Sequence, residues 1–201
     1  MKNISIVLLF IALYSLPAAS KAKILFLGDS LTEGYQLPKK DSFPSVLKEM
    51  FDKNKMDVEV LNGGVSGSTT SSGPSRLKWF LKAKPTHLVL ALGANDGLRG
   101  FDIKTTSQNL EKTIELARKN ELKILLVGMQ MPPNYRKKYQ EDFKNLFIKL
   151  KDKYKLAFYP FLLDGVGGNP KLNLADRIHP NKEGYEVIAA KLFPIIKKEL
   201  L

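Results

Sequence analysis

The sequence contains no cysteine, so no disulfide and no thiolate metal site can form, and stability must come from a packed core. The same absence excludes a lipid-modified cysteine. Histidine occurs only twice, at His87 and His179. A zinc site would then need several carboxylates at positions with no ligand spacing, so no metal is expected. Gly-x-Ser-x-Gly is missing, and with it the nucleophile elbow of the α/β-hydrolases. Neither a Walker A motif nor Gly-x-Gly-x-x-Gly occurs, which leaves no phosphate-cradling loop and no expected cofactor. Arginine is scarce too: the 32 basic residues are 27 lysines and 5 arginines. Specific recognition of phosphates or bases leans on the arginine fork, so the net charge of +12 reads as a solvated lysine surface rather than a nucleic-acid interface. Weak attraction to an anionic membrane surface remains open. A monomer is expected.

Hydrophobic residues make up 44% and charged residues 26%, close to soluble globular averages, which argues against disorder. The first twenty residues differ from the rest. Lys2 precedes an almost unbroken apolar run from Ile4 to Leu16, and Leu-Pro-Ala-Ala-Ser follows. Such a run falls short of the ~20 residues that span a bilayer. With Ala18 and Ser20 at −3 and −1, it reads as a secretory signal peptide over residues 1–20 and predicts a periplasmic or secreted protein. Residues 21–201 then form one domain, since no Pro/Gly/Ser-rich linker divides them.

Five apolar segments read as strands: 24–27, 58–61, 87–92, 124–127 and 156–159. Most are continuous rather than alternating, as expected for strands covered on both faces. Helical patterns lie between them. Examples are Phe43, Val46, Leu47 and Met50; Pro74 ahead of Leu77, Phe80 and Leu81; and Leu110, Ile114 and Ala117 behind cap candidates Thr105, Thr106 and Ser107. Phe143, Leu146, Phe147 and Leu150 make a further stripe, and Asn181 caps the last helix. Alternating strands and helices predict an α/β protein with a parallel sheet between two helical layers. Right-handed crossovers place every strand-to-helix loop at one edge, where ligands bind in such sheets.

The residues with chemistry fall on that edge. Gly28-Asp29-Ser30-Leu31 ends the first strand, and Asn62 to Gly67 follows the second. Gly93-Ala94-Asn95-Asp96-Gly97 ends the third, and Asp176-Arg177-Ile178-His179 precedes the last helix. A serine hydroxyl becomes a nucleophile only when a base takes its proton. His87 lies at the opposite edge and reads as structural, which leaves His179, with Asp176 three residues before it to hold the imidazole. A developing oxyanion needs preorganised donors, and the N–H groups of Ser30 and Gly67 and the amide of Asn95 are on offer. Gly63 and Gly64 read as a simple turn.

These blocks, in this order, resemble the GDSL or SGNH hydrolase superfamily. The resemblance covers essentially all of residues 21–201. It implies Ser30 as nucleophile, Gly67 and Asn95 as oxyanion donors, and Asp176 and His179 as the rest of a triad. It also implies a flavodoxin-like three-layer fold with a five-stranded parallel sheet of order 2-1-3-4-5. The implied substrates are acyl esters and thioesters of lipid-like molecules: fatty acyl thioesters, lysophospholipids and simple aryl or alkyl esters. The loop with Met131, Pro132, Pro133 and Tyr135 is implied to hold the acyl chain. A carbohydrate or cell-wall O-acetyl esterase is the alternative within the superfamily. A non-catalytic, basic surface-binding domain is the alternative outside it.

Overall fold

The computed structural model describes residues 21–201; the expected signal peptide, residues 1–20, lies outside them. Five strands, β1 (Ala22–Gly28), β2 (Val58–Gly64), β3 (His87–Ala91), β4 (Lys123–Val127) and β5 (Ala157–Tyr159), form one parallel sheet of order β2-β1-β3-β4-β5. Ile24, Leu25, Phe26 and Leu27 are all fully buried. Successive strand residues point to opposite faces, so both faces of the sheet are covered.

Among the described residues seven α-helices supply the cover: α1 (Ser30–Glu33), α2 (Phe43–Lys53), α3 (Gly73–Phe80), α4 (Ala94–Leu98), α5 (Ile103–Lys119), α6 (Lys137–Tyr154) and α7 (Lys182–Glu199). Helix α2 packs against α7, with Phe43 between Phe26 of the sheet and Tyr185 of α7. Helices α3, α5 and α6 form the other group, α5 touching both of its neighbours. Phe143 and Phe147 of α6 meet edge to face beneath it. Among the described residues no helix is long and apolar enough to cross a membrane.

Two local readings change. The cap of α5 is Asp102, which accepts from Thr105 N–H and Oγ–H at 2.8 Å, rather than Thr105, Thr106 or Ser107. A carboxylate one residue outside the helix reaches the orphan N3 donor, and the threonines are already helical. Gly63 and Gly64 are not a turn but the last two residues of β2, paired with Leu27 and Gly28. Their glycine character answers to crowding. A Cβ on Gly64 would lie 2.1 Å from Glu33 N, because the first turn of α1 crosses directly over β2.

Candidate active site

All four chemical blocks meet at the C-terminal edge of the sheet. Ser30 begins α1 immediately beyond β1, with Asp29 as its cap. His179 reaches it from a loop 149 residues away: the Ser30 hydroxyl donates to Nε2 over 2.9 Å. The imidazole Nδ1–H donates to Asp176 Oδ2 over 2.7 Å. The Asp-x-x-His spacing works because the segment closes on itself. Leu174 N–H donates to His179 O at 2.8 Å, and Arg177, with φ +60°, turns the chain back. Asp176 Oδ1 then accepts from the N–H groups of Ile178 and His179 at 2.9 and 3.0 Å, leaving Oδ2 for the ring. Burial pushes the Asp176 carboxyl up, but bonds from His179 and Ile178 outweigh it and hold the group below its ordinary value, as a carboxylate.

Beside Ser30 stand the expected donors. As the first helical residue, Ser30 has an N–H with no intrahelical partner. Gly67 adopts φ +76°, a conformation L side chains rarely hold. Asn95 gives one amide hydrogen to Ser68 O at 3.0 Å and keeps the second. Ser30, Gly67, Asn95 and His179 line one cleft of about 260 Å³.

Several supports had no clear sequence signal. Asp96, buried, accepts from Thr70 N–H at 2.9 Å and Thr70 Oγ–H at 2.6 Å, tying the Gly67 loop to α4. In sequence it is one member of the Gly93-Ala94-Asn95-Asp96-Gly97 block, with nothing to point to Thr70. Arg76 donates to the carbonyls of Gly28 and Gly63, closing the ends of β1 and β2. Glu33 accepts from both the N–H and the hydroxyl of Ser66. The Tyr35 ring lies against His179, with centroids 4.4 Å apart. Asp29 is fully desolvated, with one oxygen on Leu31 N–H and the other unpartnered. Burial pushes its carboxyl up to about 7, against the pull of Leu31 N–H and the Arg76 guanidinium.

An apolar groove of about 320 Å³ shares Leu31, Ala94, Leu98 and Ile178 with the cleft. Met131, Pro132 and Pro133 line it, together with Met129, Phe161 and Leu163. Tyr135 does not line it. A tight turn, Tyr135 N–H to Pro132 O, sets its ring against Tyr139, and its hydroxyl donates to Leu98 O at 2.7 Å.

His87 sits at the other end of β3, buried between Thr86 Oγ and Leu200 O, and burial lowers its pKa. Among the described residues no group of three or more His, Asp or Glu is placed to hold a metal.

Residues 26–187 match the profile of the GDSL-like lipase/acylhydrolase family. The chain is 40% identical over 179 residues to an arylesterase of Vibrio mimicus, covering 88% of this chain and 90% of that one. It is 34% identical over 182 residues to thioesterase 1/protease 1/lysophospholipase L1 of Escherichia coli K12, covering 90% and 86%. The crystal structure of a psychrotrophic esterase, EstA from Pseudoalteromonas, superposes with a TM-score of 0.84 at 30% identity, over 88% of this chain and 97% of that one.

Proposed function

The chain belongs to the GDSL-like lipase/acylhydrolase family and is an ester hydrolase; from that premise we propose that it cleaves acyl esters and thioesters of lipid-like substrates through Ser30, His179 and Asp176. The observation that carries this reading is the unbroken relay of 2.9 and 2.7 Å from Ser30 Oγ through His179 to Asp176. His179 Nε2 takes the hydroxyl proton as Ser30 Oγ attacks the acyl carbon. Asp176 holds the tautomer and supports the imidazolium that forms. The negative charge on the former carbonyl oxygen is met by Ser30 N–H, Gly67 N–H and the second Asn95 amide hydrogen. His179 then gives its proton to the leaving alcohol or thiol. Water, activated by the same imidazole, releases the acid from Ser30.

The apolar groove supports acyl chains longer than acetyl, which favours this reading over an O-acetyl esterase. Rates on p-nitrophenyl esters are expected to stay high from butyrate to decanoate, and strict preference for acetate would transfer the assignment to that alternative. Ser30→Ala is expected to lose all but a trace of activity while keeping its fold, and a fluorophosphonate should label the wild type alone. Activity above a few per cent in a folded Ser30→Ala protein would remove Ser30 from the role. The place of action that accompanies this reading is the periplasm or the exterior, after removal of residues 1–20.

A further inference from the structure

A second cavity adjoins the catalytic cleft and shares no lining residue with the apolar groove. It measures about 510 Å³, within the usual range of small-ligand sites. Tyr35 lines both this cavity and the cleft, and Glu33 of the cavity is bonded to Ser66 of the cleft. Resting on the esterase reading above, we propose that this cavity is the leaving-group subsite and that it takes a neutral, polyhydroxylated alcohol.

Direction comes from the chemistry. With the acyl carbon at Ser30 Oγ, three groups must diverge from it. The oxyanion turns to the donors of Ser30, Gly67 and Asn95. The acyl chain follows Leu31, Ala94, Leu98 and Ile178 into the apolar groove. The leaving oxygen must stay within reach of His179 Nε2, which delivers its proton. The Tyr35 ring lies against that imidazole at a 37° tilt and is shared by the cleft and the second cavity, so whatever the oxygen carries runs past Tyr35 and into that cavity.

Ligand class follows from the lining. Asn62 and Ser45 are committed to the scaffold. The Asn62 amide donates to Thr32 O and accepts from Gly64 N–H, and the Ser45 hydroxyl donates to Lys39 O. Four groups remain for a ligand: the Tyr35 hydroxyl, the Gln36 amide, the second oxygen of Glu33 and the Lys39 ammonium, which forms no salt bridge among the described residues. A carboxylate repels an anion, and an ammonium repels a cation. A hydroxyl serves both, donating to Glu33 and accepting from Lys39. Gln36 is held at φ +59°, outside the ordinary range for a residue with a side chain. Glycerol and sugars share this chemistry.

The test compares ethyl butyrate, glyceryl monobutyrate and 6-O-butyryl glucose, which carry one acyl group on three alcohols. For the wild type, kcat/KM is expected to be at least tenfold higher on one of the polyol esters than on the ethyl ester. The preferred polyol distinguishes glycerol from sugar. Gln36→Ala and Lys39→Ala are each expected to reduce that polyol-to-ethyl ratio several-fold. A wild-type ratio near one overturns the subsite, as does a ratio that neither substitution changes. Failure to cleave any of the three esters or a p-nitrophenyl ester would instead sink the esterase reading beneath it.

Discussion

Asn95 has two amide hydrogens and one structural debt, the bond to Ser68 O. The other hydrogen has its proposed use only when charge appears on the substrate oxygen. Loss of one such donor typically costs ~2.7–4 kcal/mol, or about 10²–10³ in kcat. Asn95→Ala is therefore expected to lower kcat by that factor and change KM much less, because the interaction strengthens in the transition state. Steady-state kinetics on a soluble ester check this; a raised KM with unchanged kcat would make Asn95 a ground-state contact instead. Asp29 offers a second test, of stability rather than rate. Its folded pKa of about 7 lies above the ordinary 3.8, so between these values the folded protein keeps a proton that the unfolded chain has lost. The contribution to stability is full below pH ~4 and falls as pH rises through about 7, by on the order of 4 kcal/mol across the window. Asn at this position keeps the acceptor for Leu31 N–H and never ionises. Asp29→Asn should then gain stability over the wild type as pH rises from 4 to 8 in urea titrations. Parallel pH profiles for the two proteins would refute the buried, raised carboxyl.

At the scale of elements, the decisive contact is the crossing of α1 over the end of β2. Gly64 faces Glu33 N, Glu33 Cα and Thr32 C, all within 2.6 Å of where a Cβ would stand. These are backbone atoms and cannot swing aside. Gly64→Ala must push α1 outward, and α1 begins with Ser30. Overpacking of this kind costs roughly 1–3 kcal/mol and sometimes more. Guanidinium unfolding is expected to show that loss. Activity per folded molecule should also fall, as Ser30 moves off His179. Wild-type stability in Gly64→Ala would mean that α1 yields freely. The neighbouring tie between Asp96 and Thr70 holds the Gly67 loop to α4 in the same manner, through two bonds to one buried carboxylate.

For the molecule as a whole, the charge of +12 falls to +11 without residues 1–20, since Lys2 is the only charge they carry. The lysines that remain are spread over the surface. Export is the whole-chain property that most directly tests the reading of those first twenty residues. N-terminal sequencing of protein taken from the native compartment is expected to begin at Lys21; an intact Met1 on cytoplasmic protein would contradict it.

The sequence by itself determined the parallel sheet, because unbroken apolar strands such as 24–27 admit only a two-sided cover, and short-range helical stripes fill it. It also placed Ser30, Asn95, Asp176 and His179 at one edge, since each follows or precedes an element of known direction. Chain periodicity carries no information on what crosses above a residue. The tertiary structure alone made Gly63 and Gly64 the end of a strand, because their reason for being glycine is a helix lying over them. It alone put the Tyr135 hydroxyl on Leu98 O and set Tyr35 on His179. It alone gave Asp96 a partner 26 residues distant. Such contacts join residues far apart in the chain, and their geometry exists only once the sheet has brought its loops to a common edge.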